Sequence, residues 1–180
     1  MMALDRPDDS GHDHVAEILA GWAVERPDVD LSAQGVVGRV LRLSRLFERG
    51  LTTVFAKYRI NGGEFDVLAT LRRVGGVGGL SASSLASRCM LSSAAMTNRL
   101  DRLEATGLVR RGTDSVDGRV VRISLTESGR RLIDEALPLH AKNQDAMLES
   151  LSTEERQTLA QLLGRLLQAW ESKVDGPGGP

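Results

Sequence analysis

Apolar residues between Ser32 and Tyr58 fall at Val36, Val40, Leu43, Phe47, Leu51, Val54 and Tyr58, spaced by three or four throughout. At 3.6 residues per turn this spacing lines one face, so the pattern predicts a long amphipathic helix over 32–58. A shorter pattern, Val15, Ile18, Leu19 and Trp22, predicts a helix before it, ended by Pro27. Phe65, Leu68 and Ala69 mark a third helix over 64–74. Ser81 is placed to cap a fourth, over 81–89. Further on, Thr126 opens a helix reaching about Glu149, in which Pro138 is expected to introduce a kink. Ser152 and Glu155 form a capping box for a last helix. Its Leu159, Leu162, Leu163, Leu166, Leu167 and Trp170 make a wide apolar face. Residues 1–14 and 174–180 have no apolar period and read as disordered tails.

The segment 92–123 carries the most information. Met96, Leu100 and Leu103 form a buried helical stripe, with Ser92 or Ser93 as N-cap and Gly107 as the glycine that ends the helix. At about 100° per residue, Ala94, Asn98 and Arg102 project opposite that stripe, flanked by Ala95 and Thr97. Such a face suits a major groove: alanines admit the backbone, asparagine can pair with adenine, and arginine can fork onto guanine. Two β-prone runs follow, Leu108–Arg111 and Arg119–Leu125, joined by the turn-forming T-D-S-V-D-G at 113–118. The order is a helix-turn-helix with a hairpin wing. Arg119 falls just past the wing tip, where an arginine can enter a narrow minor groove, and Asp117 can orient it. Between Arg88 and Arg122, seven arginines face four acidic residues, a local surplus of +3 in a chain of net charge −1. Basic charge is therefore focused on one module, as a nucleic-acid footprint requires. The expected contacts to double-stranded DNA are Ser92, Ser93, Thr97, Asn98, Arg102 and Arg119.

Over roughly residues 32–172 the chain resembles the MarR family of transcriptional regulators. The resemblance is carried by L-S-A-S-S-L-A-S-R-C-M-L-S-S-A-A-M-T-N-R-L-D-R-L-E-A-T-G-L-V-R-R at 80–111 and by the wing D-S-V-D-G-R at 114–119. That wing meets the family's D-x-x-D-x-R spacing, with Gly118 where some members have a second basic residue. The expected fold is mainly α with a small β-wing. A winged helix-turn-helix lobe (about 62–125) would sit between N- and C-terminal dimerisation helices (about 15–59 and 126–173), making one domain over 15–173. The resemblance implies a homodimer with intertwined terminal helices. The apolar terminal helices argue the same way, since one small lobe cannot cover them. A twofold dimer implies a pseudo-palindromic operator with half-sites about 10 bp apart.

A narrower resemblance concerns a small-molecule effector. An added N-terminal helix with Trp22, together with Asp66, Arg99 and Arg111, resembles the urate-responsive subgroup of the family. That resemblance implies a ligand site made of these four residues and release of the operator by urate or another purine. The chemistry is coherent: urate is a flat anion, arginine meets it with a planar fork, indole can stack, and a carboxylate can accept ring N–H groups. Arg99 lies about 60° from the centre of the buried stripe by the 100° rule, so it can reach inward. Three of the four also have an ordinary use: Trp22 in packing, Asp66 at a helix N-terminus, Arg111 on a phosphate.

Composition closes off other classes. At 180 residues the chain reads as one domain. It has no apolar run long enough to span a bilayer and no secretion signal, so a cytoplasmic protein is expected. No cofactor and no metal is expected. His12, His14 and His140 lie apart from any nucleophile or paired carboxylate in sequence, so no enzyme is expected. Cys89 is the single cysteine, which excludes an intrachain disulfide. Oxidant sensing through Cys89 is the rival to a purine, and a phenolic ligand is another. The apolar helix around Cys89 favours a buried, inert thiol.

Overall fold

A computed structural model describes residues 13–74, 76, 78–113 and 120–174, and the wing tip and both chain ends lie outside them. The described residues fall into two compact units, divided at Gly50–Leu51 within one long helix.

The first unit holds α1 (His14–Glu25) and most of α2 (Ser32–Lys57). Asp13 and His14, expected in the tail, instead cap and open α1. Asp13 accepts from the Val15 and Ala16 amides, each at 2.9 Å, and pairs with Arg39 Nε at 2.7 Å. Val15 is buried where α2 presents Gly38: a β-carbon there would lie 3.2 Å from Val15 Cγ1. The outer stripe of α2 is uncovered, with Val36, Val40 and Leu43 all exposed.

The second unit begins with the end of α2 and continues with α3 (Gly62–Val74), α4 (Ala82–Arg88), α5 (Ser93–Ala105), β1 (Val109–Thr113), β2 (Val121–Leu125), α6 (Glu127–Met147) and α7 (Thr153–Val174). Its core is built from Phe65, Leu68, Leu85, Met96, Leu100, Leu103, Ile123 and Ile133, all at most 4 % exposed. The antiparallel strands pair Val109 with Leu125 through Thr113 with Val121. Leu80 adds a bridge on the far side, exchanging both backbone hydrogen bonds with Ile123. The fold is mainly helical with a small two-stranded wing, as the pattern predicts.

Caps explain the boundaries. Ser81, Ser92 and Thr126 each accept from the amide three residues on, and Ser152 and Glu155 bond reciprocally. Gly107 takes φ +70° just past α5, a conformation that costs glycine nothing. β1 runs on to Thr113, and the described part of the second run forms β2 from Val121. Pro138 lies inside an unbroken α6. Gly129 lets the first turn of α6 press on the residue before β1: a β-carbon there would collide with the Leu108 carbonyl. Among the described residues no helix is long and apolar enough to cross a membrane, and no group of three or more side chains could hold a metal.

Candidate nucleic-acid interface and effector site

Helix α5 packs through Met96, Leu100 and Leu103, each 1 % exposed, and turns its other face outward. Ser92, its N-cap, and Ser93, its first residue, stand exposed at the N-terminus, where unpaired amides favour an anion. Thr97 is exposed and donates its hydroxyl to the Ser93 carbonyl at 3.0 Å. Asn98 is exposed and its amide has no partner among the described residues. Arg102 is largely exposed but not free: its Nε lies 3.0 Å from the buried Glu64 carboxylate on α3. Arg119 lies outside the described residues.

The expected effector residues separate. Asp66 and Arg99 come together. Asp66 projects from the first turns of α3, and the half-buried Arg99 guanidinium lies directly over Gly63 one turn back. A side chain at position 63 would occupy the place of the guanidinium. Asp66 is exposed as a residue, but partial desolvation by its neighbours holds its pKa above the usual carboxylate value, opposed by the charges of Arg99 and His140. His140 was passed over by the sequence reasoning. Its ring stacks on Phe55 (5.4 Å between centroids) and tilts against Phe65 (4.5 Å). Its Nδ1 is buried without a hydrogen-bond partner among the described residues. Burial lowers the imidazole pKa, and the Asp66 charge pulls it back up. A signal existed: His140 continues the buried stripe Ile133–Ala136 at the next helical step.

Arg111 is engaged elsewhere. Its guanidinium bridges Asp101 and Glu104 of α5, reaching Glu104 Oε2 at 2.6 Å, while its backbone N–H donates to Glu104 Oε1. It ties the recognition helix to the wing. Trp22 belongs to the first unit, on a half-exposed face of α1. Cys89 is half-buried instead of fully enclosed, because the segment ends α4 at a surface. Its thiol lies 3.7 Å from Thr70 Oγ1 and lines an open cavity of about 740 Å³ with Asp66, Arg73 and Arg88.

A polar helix face presented beside a hairpin, with its partner helix and bridging strand behind it, defines a winged helix-turn-helix DNA-binding protein. The profile of the MarR family matches residues 60–120. The transcriptional regulator PecS of Dickeya dadantii is 41% identical over 152 residues, covering 84% of this chain and 92% of PecS. The transcriptional repressor MdtR of Bacillus subtilis is 30% identical over 147 residues, covering 81% of this chain and 87% of MdtR. A mutant MarR from E. coli crystallised with operator DNA superimposes with a TM-score of 0.66 at 25% identity, over 77% of this chain and 99% of that one. The chain belongs to the MarR family, and its lobe is that of a DNA-binding transcriptional regulator.

Proposed function

We propose that the protein is a dimeric repressor that reads a pseudo-palindromic operator and lets go when a small planar anion, such as urate or a related purine, binds beside the recognition helix. The observation that carries this reading is the juxtaposition of Asp66 on α3 with Arg99 on α5, above the bare backbone of Gly63. Opposite charges are held at the point where one helix of the lobe meets the helix that enters DNA. A ligand that offers acceptors to Arg99 and N–H groups to Asp66 would draw on both, and a small displacement of α5 would misplace its groove face. A coupling of about 1–3 kcal/mol between ligand and DNA corresponds to a roughly 5- to 150-fold loss of affinity. The repressor role is favoured by the similarity to MdtR. Ser92, Ser93, Thr97, Asn98 and Arg102 are proposed as the contacts of the recognition helix, with Arg119 from the wing. Arg111 joins the ligand only by leaving Asp101 and Glu104, so the proposal rests on Asp66 and Arg99.

The exposed apolar faces support the dimer. Val36, Val40 and Leu43 on α2, and Leu162, Leu166 and Trp170 on α7, are all more than 40 % exposed in the single chain. Faces of that extent mark an interface, and a second copy is the proposed cover.

Titration calorimetry with urate tests the effector assignment. Wild type is expected to bind, and Gly63→Ala, which evicts the Arg99 guanidinium, to bind at least about tenfold more weakly, the scale of one charge-assisted hydrogen bond. Because only the far end of a flexible side chain must move, Gly63→Ala is expected to leave melting unchanged or raised, as alanine outranks glycine in a helix by about 0.5–1 kcal/mol. Equal urate binding by both proteins would refute this assignment.

A further inference from the structure

Glu64 is a carboxylate with almost no access to water, 4 % exposed. Burying an ion is costly unless its oxygens are matched. Oε2 accepts the Asn61 backbone N–H at 2.9 Å, and Asn61 Oδ1 accepts the Glu64 N–H at 2.9 Å, a capping box that starts α3. That cap uses one oxygen and needs no charge, since glutamine serves the same position. The other oxygen, Oε1, faces Arg102 Nε across the helix interface at 3.0 Å. The Arg102 side chain nevertheless keeps 69% of its surface exposed. The ion pair therefore holds the Nε end of the guanidinium near the carboxylate by charge, and neither terminal amino group has a partner among the described residues.

Arginine reads guanine by offering two N–H groups to O6 and N7. A guanidinium on a free stem must give up rotamer entropy to do so, whereas one already tethered arrives oriented. We infer that Glu64 is a positioning residue for base readout: its buried carboxylate tethers Arg102 at Nε and aims the Nη1–Nη2 edge at the groove. The inference rests on the DNA-reading role proposed above for Arg102. It carries two consequences of opposite sign. Neutralising Glu64 removes negative charge from beside the DNA face, so general affinity for duplex DNA holds or rises. Base discrimination falls, because the fork is no longer aimed. A folding defect would lower both together.

The experiment uses full-length protein and a duplex selected from random sequence by the wild type, with each base pair of one half-site replaced in turn. Anisotropy titrations compare wild type, Glu64→Gln, Arg102→Ala and the double variant, with sheared competitor DNA as the non-specific reference. Arg102→Ala is expected to flatten preference at one base pair by roughly 5- to 150-fold, the range of one bidentate contact. Glu64→Gln should flatten the same base pair by at least about threefold with competitor binding undiminished, and the double variant should match Arg102→Ala alone. Glu64→Asp keeps the charge but withdraws the carboxylate by one methylene from both Arg102 and Asn61, and it should show the same flattening if Glu64→Gln does not fold. Unchanged preference in these Glu64 variants, or losses that multiply in the double variant, would overturn the inference. So would a uniform loss for all duplexes accompanied by a lower melting temperature, which is the mark of a cap alone. If Arg102→Ala itself keeps the wild-type preference, the reading of Arg102 fails first and the inference falls with it.

Discussion

His140 sits in an aromatic bracket of Phe55 and Phe65 with Nδ1 enclosed, an arrangement that suits a neutral ring and penalises a charged one. Its folded pKa is therefore below the unfolded value of about 6.5. The unfolded chain then binds a proton that the folded chain resists. The contribution of His140 to stability is complete above about pH 6.5 and shrinks as pH falls toward the folded value. Asp66 acts with the opposite sign. Its raised pKa favours the fold below the ordinary carboxylate range, and that contribution is lost as pH rises through the folded value. The two groups pull oppositely, and the histidine effect is read from pH 7 downward. The urea midpoint of wild type is expected to fall as pH drops below about 6.5, the unfolded histidine value, and His140→Phe should flatten the fall. Parallel pH dependence in the two proteins would contradict this account. At this scale the sequence was only partly legible. The stripe Ile133–Ala136–His140 marks the histidine as inward, but Phe55, Phe65 and Asp66 reach it from distant turns that no local spacing connects. The cap between Asn61 and Glu64 and the pairing of Glu64 with Arg102 both came only with the structure.

Elements were read more fully than pairs. Helix starts follow serine, threonine and capping-box chemistry that is local by nature, so Ser81, Ser92, Thr126 and Ser152 all cap as their spacing predicts. The inward reach of Arg99 also follows from helical angle alone. What angle cannot supply is competition between acceptors. Arg111 has Asp101 and Glu104 within reach from the neighbouring helix, and it spends its guanidinium there. Close approach between elements is equally hidden, as Gly129 shows. Its missing side chain is the only reason α6 can start against the Leu108 carbonyl, and a methyl group would have to displace backbone. Gly129→Ala is expected to destabilise by about 1–3 kcal/mol, the range for overpacking a tight core, despite alanine's higher helix propensity. Thermal melts of the variant give the sign directly, and a rise in midpoint would show that the contact yields.

For the whole molecule, the uncovered faces on α2 and α7 are what the proposed dimer would cover. Sedimentation at micromolar concentration is expected to show a dimer, and Leu166→Glu, a charge on the exposed face of α7, to shift it toward monomer. A stable wild-type monomer would remove the basis for a twofold operator. In such a dimer one displaced lobe would break the spacing that both lobes need. In the proposed mechanism a purine bound at Asp66 and Arg99 loosens the grip of α5 on DNA. The most direct measurement is operator affinity with and without saturating urate, for wild type and for Asp66→Ala. The wild type should lose roughly 5- to 150-fold in affinity, while Asp66→Ala binds the operator comparably and does not respond to urate. Wild-type affinity unchanged by urate, or an equal response from Asp66→Ala, would contradict the claim.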